Sequence, residues 1–148
     1  MTKNLSAFLS MIARSEGTMI PNSDNGYLTI VGGTLMETYK DHPRKLVKLN
    51  ARLSSTAAGR YQILARYFDH YKKQLHLPDF SPLSQDMIAI QLIRECRALD
   101  DIENGDLISA IKKCASRWAS LPGNAYGQRQ VPIEALKLAY AEAGGTIA

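Results

Sequence analysis

At 148 residues, 45% of them hydrophobic and 22% charged, the chain has room for one domain with a real core and is too ordinary in composition to be disordered or fibrous. Eighteen Lys and Arg against 14 Asp and Glu leave a net charge of +4, which favours polyanionic partners such as nucleic acid or an anionic envelope. No stretch approaches the ~18 uninterrupted apolar residues of a membrane helix. The start, Met1 to Leu5, also lacks a signal peptide's apolar centre, so the sequence predicts accumulation in the cytoplasm without stable membrane insertion. Cys96, Cys114 and the three histidines, His42, His70 and His76, show no ligand spacing. Free thiols are expected, with no metal and no cofactor.

In chain order, Leu5, Phe8, Leu9 and Ile12 share one face of a first helix, with Asn4 or Ser6 able to cap its start and Gly17 to close it in the left-handed region. Glu16 then falls on the last turn, beside the negative end of the helix dipole, where a second negative charge is disfavoured and its pKa should rise. Read locally, Glu16 is either a solvated glutamate before a closing glycine or a general acid. Residues 19–26, which include Asp24, are turn-formers. Residues 27–31 and 34–39 then read as the two arms of a hairpin around Gly32-Gly33, the one clear β signal. Residues 43–58 read as a basic, partly extended connector.

A long helix is expected from Gly59 to Leu77, with Tyr61, Leu64, Phe68, Tyr71 and Leu75 on its apolar side. Its charges from Arg66 to Lys73 read as a solvated face rather than a phosphate-binding stripe. After Pro78 and Pro82, Ser84 can cap a third helix, apolar nearly all round and therefore central. An acidic turn spans 100–105, Asp106 caps a helix over 107–119, a Gly- and Pro-rich loop spans 121–128, and Pro132 opens a last helix ended by Gly144-Gly145. The expected fold is α+β, mainly α: a single domain over 1–148, with a small β-hairpin lobe at about 19–58 and a larger helical lobe from 1–18 and 59–148. A cleft would lie between the lobes, with Glu16 at the seam.

Three further segments carry groups suited to sugars, namely amides, hydroxyls and aromatic rings. They are Gly59-Arg60-Tyr61-Gln62, Tyr126-Gly127-Gln128, and the hairpin with Tyr27 and Thr29 on one side. Each also has a structural reading, as a helix start, a loop anchor or core. Two unlike classes stand beside an enzyme. A DNA-binding protein would need a basic recognition helix, but the helix from Ser84 is too apolar and 109–118 carries only Lys112, Lys113 and Arg117. A non-catalytic wall-binding module would need no acid at position 16.

Together with Glu16 these segments form a recognisable set. Ser15-Glu16-Gly17-Thr18, Ile30-Val31-Gly32-Gly33, Asp41 to Val47, Gly59 to Gln62, Phe80-Ser81-Pro82 with Ser84-Gln85-Asp86, and Trp118 to Gly123 with Tyr126-Gly127-Gln128 resemble the lambda-type phage endolysins, in order over nearly the whole chain. The resemblance implies a lysozyme-like fold and a peptidoglycan lytic transglycosylase. Such an enzyme cleaves the β-1,4 bond between N-acetylmuramic acid and N-acetylglucosamine and leaves 1,6-anhydro muramic ends. It implies that Glu16 is the single catalytic residue and that Arg60, Tyr61, Gln62, Tyr126 and Gln128 lie in segments lining the saccharide groove; Thr29, on the hairpin, is expected to contact saccharide as well. The Tyr126 hydroxyl would orient Glu16, and Gln62 would hold an N-acetyl group or help fix the sugar.

Expected partners are peptidoglycan glycan strands and a holin for release from the host cytoplasm, with no nucleic acid, and the protein should be a monomer. Asp24, before Gly26-Tyr27-Leu28-Thr29-Ile30, resembles the second acid of another phage lysozyme class. It leaves a hydrolytic muramidase open as the alternative.

Overall fold

A computed structural model describes residues 1–148. Its elements are α1 (Lys3–Glu16), β1 (Val47–Lys48), β2 (Ser54–Ser55), α2 (Ala65–Gln74), α3 (Pro82–Glu95), α4 (Leu99–Glu103), α5 (Leu107–Cys114) and α6 (Ile133–Glu142). The chain divides into two compact units, one of Met1–Glu16 with Ile90–Ala148, the other of Gly17–Ala89.

In the first unit α1 buries Leu5, Phe8, Leu9, Met11 and Ile12 and packs on α4 and α6. Its cap is Thr2, whose hydroxyl accepts the Leu5 amide at 3.1 Å, rather than Asn4 or Ser6. Asn4 instead donates to the Ile102 carbonyl and accepts the Thr146 amide, tying both later segments to the start of α1. Gly17, at φ 71°, ends the helix as expected. Asp106 caps α5 by accepting the Ser109 amide, but the helix stops at Cys114, and Trp118 follows in a turn whose amide still reaches the Cys114 carbonyl. The acidic segment expected as a turn holds the short helix α4. Pro132 opens α6 in extended conformation, as its fixed φ and missing N–H allow. Cys96 and Cys114 are free thiols.

The second unit corrects the expected strand positions. β1 and β2 pair antiparallel, Val47 opposite Ser55 and Lys48 opposite Ser54, inside what the sequence presents as a connector. The turn at Gly32-Gly33 exists, closed by the Ile30 amide on the Thr34 carbonyl at 2.8 Å, but its arms share a single bridge, Thr29 with Leu35. Ile30 also bridges Ala58, and the Gly59 amide bonds the Thr29 carbonyl, so residues 57–59 take the backbone groups a longer hairpin would use.

Two helix starts also move. Gly59 (φ 82°) and Gln62 (φ 54°) are left-handed, so residues 59–62 form a tight loop and α2 begins only at Ala65. α3 begins at Pro82, with the Ser81 hydroxyl accepting the Ser84 amide, while Ser84 itself donates to Asp79 at 2.8 Å. It buries one stripe, Ser84, Gln85, Ile88, Ala89, Leu92 and Ile93, and leaves Leu83 and Met87 exposed. It is amphipathic rather than apolar all round.

The segment Asp41 to Arg44 is pinned by His42, which is buried between Phe68 and Phe80 with ring centroids at 5.8 and 4.9 Å. Its Nδ1 accepts the Arg44 amide at 2.9 Å, so Nε2 carries the proton and donates to the Ile63 carbonyl at 2.8 Å. Burial holds the His42 pKa below its usual 6.5. Arg44, at φ 53°, folds back to pair with both Asp41 and Asp69. Charge is unevenly distributed here: residues 42–68 contain six basic residues and no acidic one.

Candidate active site

Glu16 is the last residue of α1, partly buried, and the sequence around it supplies its partners from far along the chain. The Ser120 hydroxyl donates to Glu16 Oε1 at 3.2 Å. Ser120 also lies 3.0 Å from the hydroxyl of Ser15, which in turn donates to the Ile12 carbonyl at 2.8 Å. Arg129 donates to the Ser15 carbonyl at 2.7 Å, which brings its charge to the edge of the site. The Glu16 pKa is raised from 4.5 to about 7. Burial is the cause, opposed by the Ser120 hydrogen bond and the Arg129 charge. The expected rise is therefore present, but desolvation produces it rather than the helix dipole.

Tyr126 does not orient this carboxyl. Its hydroxyl donates to the Ser116 carbonyl at 2.7 Å, which spends its one proton, and 56% of the residue is exposed, so its ring is what it offers to a ligand. Gln128 is exposed on the same loop. Ser120 and Arg129 are the residues that sequence reasoning misses. Both lie in or next to segments carrying the family resemblance, yet no local pattern marks a serine or an arginine as the partner of a glutamate more than 100 residues away.

In the second unit, Thr29, Arg60, Tyr61 and Gln62 come together in one hydrogen-bonded knot. Thr29 is buried and its hydroxyl donates to the Thr18 carbonyl at 2.6 Å, while the Thr18 hydroxyl donates to the Arg60 carbonyl at 2.7 Å. Gln62 donates to the carbonyls of Gly59 and Thr29, which leaves its amide oxygen as the remaining polar atom of the side chain. Tyr61 is fully buried and donates to Asp86 at 2.6 Å, as Tyr27 does at 2.8 Å. The Arg60 guanidinium lies over both tyrosine rings, 5.3 Å from Tyr27 and 5.5 Å from Tyr61, and donates to the Tyr61 hydroxyl. The hydroxyls of Thr29 and Tyr61 are thus engaged within the protein and fix the loop. Asp24 is exposed at φ 53° and accepts from the Tyr39 hydroxyl at 2.6 Å.

The fold and the site define a lysozyme-like protein. The chain superposes on bacteriophage lambda lysozyme complexed with a chitohexasaccharide at a TM-score of 0.97 and 50% identity, covering 100% of this chain and 98% of that one. It superposes on a second structure, lysozyme from bacteriophage lambda, at 0.92 with the same coverage and identity. In sequence it is 53% identical to the endolysin of Escherichia phage lambda over 95% of this chain and 91% of that protein, and 50% identical to the endolysin of Escherichia phage P2 over 97% and 94%. The endolysin family model matches residues 6–147. The chain belongs to the endolysin family, of the lambda type.

Proposed function

We propose that the protein cleaves the β-1,4 bond between N-acetylmuramic acid and N-acetylglucosamine in peptidoglycan by lytic transglycosylation, with Glu16 as both acid and base. The observation that carries this reading is a carboxyl held near a pKa of 7 at the end of a docked helix, with a hydroxyl donor at 3.2 Å. Near neutral pH such a group is populated in both forms, so it can give a proton and take one back.

Protonated Glu16 donates to the glycosidic oxygen as the muramic anomeric carbon gains oxocarbenium character. The resulting carboxylate, facing the Ser120 hydroxyl, removes the proton of the same sugar's 6-hydroxyl, whose oxygen closes onto the anomeric carbon. The bond to the leaving sugar breaks, the internal ether forms, and Glu16 ends protonated as it began. No water is consumed. In the unit that carries Glu16, the exposed ring of Tyr126 and the amide of Gln128 are offered to saccharide; in the other unit Gln62 offers its amide oxygen, and Thr29, Arg60 and Tyr61 hold the loop that presents it.

Membership of the endolysin family supports a wall glycan as substrate, and the saccharide complex of the lambda protein supports a glycan ligand. No helix is long and apolar enough to cross a membrane. Release from the host cytoplasm through a holin is part of the same reading. The enzyme acts as a monomer on glycan strands.

The deciding experiment is mass spectrometry of soluble muropeptides from a digest of purified peptidoglycan. Anhydro ends, lighter by one water and without a reducing sugar, are expected. Reducing muramic termini would instead establish hydrolysis, with Asp24, exposed and held by Tyr39, as the base that activates water.

A further inference from the structure

Neither serine beside Glu16 exchanges a proton with the sugar in the reaction as written, yet both are almost completely buried, Ser15 at 1% and Ser120 at 5% exposure. Buried hydroxyls are retained where their protons have acceptors, and here the acceptors form a line. It runs from Glu16 Oε1 to Ser120 Oγ at 3.2 Å, to Ser15 Oγ at 3.0 Å, and to the Ile12 carbonyl at 2.8 Å. Each hydroxyl has one proton, so how many of the three contacts are hydrogen bonds depends on the protonation of Glu16.

With Glu16 protonated, the acid can donate to Ser120, Ser120 to Ser15, and Ser15 to Ile12. All three contacts are then hydrogen bonds. With Glu16 ionised, Ser120 must turn to donate to the carboxylate. Ser15 then has one proton for two neighbours, Ser120 and Ile12, and one of the three contacts is left without a proton.

We propose that Ser15 and Ser120 form a hydroxyl relay that favours the protonated carboxyl through Ser15 and steadies the ionised one through Ser120. Both are positioning residues, acting through Glu16 rather than on the sugar. The relay rests on the reading of Glu16 as the acid of the reaction, but it describes Glu16's titration whether or not that reading holds.

The charged groups around the site are few. Arg129 faces Glu16 and favours its ionised form. On α6, Glu142 is paired with Arg14 and Glu134 with Lys137. On α4, Asp101 is paired with Lys113, and Glu103 accepts from Thr2 at the far end of α1.

The test is a carbon-13 NMR titration of the Glu16 carboxyl in the full chain and in Ser120→Ala and Ser15→Ala, run beside the pH–rate profile on purified peptidoglycan. Ser120→Ala removes the charge-assisted bond to the carboxylate, which outweighs the neutral bonds Ser120 makes in the acid form, so the midpoint should move up by about half to one pH unit. Ser15→Ala removes the acceptor that rewards the acid form, so the midpoint should move down by a similar amount. The alkaline limb of the rate should follow in each case.

A role in packing alone would not give opposite signs. Shifts of the same sign, or none in Ser15→Ala, would overturn the relay. Should Glu16→Gln still cleave the wall, the catalytic reading fails, while the NMR midpoints still judge the relay.

Discussion

Two side chains, one in each unit, change charge near neutral pH and have a charged form that burial disfavours: Glu16 in the first unit, His42 in the second. The difference lies in partners. Both ring nitrogens of His42 are occupied in the neutral form, at 2.8 and 2.9 Å, and the ring is packed between two phenylalanines. Glu16 has one hydroxyl at 3.2 Å and an arginine that bonds its neighbour's carbonyl rather than its own oxygens. Burial with full satisfaction makes a structural pin. Burial with partial satisfaction leaves a proton available for chemistry.

The two groups should therefore respond oppositely to pH. Glu16 has a folded pKa above its unfolded value of 4.5, so it disfavours the fold as pH rises from there through about 7. His42 has a folded pKa below its unfolded value of 6.5. The stability it contributes is complete above 6.5 and is lost as pH falls through the folded value.

The largest expected effect breaks the comparison on the Glu16 side. Glu16→Gln should lower the rate of wall cleavage by about 10²–10⁴-fold, the usual worth of a general acid, read as release of soluble muropeptides. The same variant should be more stable than the parent at pH 8, by up to about 2 kcal/mol, and no more stable at pH 4. Breaking the other side, His42→Ala leaves the Ile63 carbonyl and Arg44 amide unpaired and opens space beside Phe68 and Phe80. It should cost about 2–4 kcal/mol in denaturant unfolding, with activity per folded molecule retained.

Next, Gly59→Ala places a Cβ 2.3 Å from Gln85 Oε1 at φ 82°, where any side chain is strained. A loss of about 1–3 kcal/mol is expected by thermal unfolding. Tyr126→Phe removes one hydrogen bond to Ser116 but keeps the exposed ring, so it should cost about 1 kcal/mol or less and change the rate less than about threefold. Asp24→Asn sharpens the comparison by having the least effect. If Glu16 works alone, the rate on peptidoglycan should stay within about twofold of the parent, whereas a base that activates water would cost about a hundredfold or more.

Much of this was legible from local signals. The apolar spacing of α1, Gly17 at its end, Asp106 on α5 and Pro132 before α6 all act within one helical turn, and the structure keeps each of them. The β elements were not legible, because Val47-Lys48 and Ser54-Ser55 are too short to show an alternation of polar and apolar residues. The loop at residues 59–62 was hidden for another reason. Tyr61 and Leu64 keep helical spacing with Phe68, while the feature that breaks the helix is a left-handed glutamine, which sequence does not announce. In the candidate site, Glu16 could be singled out from its position on α1. Ser120 and Arg129 could not, since only tertiary structure brings them to it.

The unit that carries Glu16 is discontinuous: α1 opens the chain, yet it packs on α6 near the other end, and Ser120 and Arg129 arrive from separations of 104 and 114 residues. On the ribosome, α1 emerges long before α6 and has to wait for the residues between them before α6 can cover its apolar face. Gly17–Ala89, an unbroken segment, has no such delay. The tuned proton donor thus comes into being only once Ser120, Arg129 and α6 have been made, and a product lacking α6 is expected to be inert. Pulse-labelled amide exchange during translation should show α1 gaining protection together with α6, after the intervening segment has already done so.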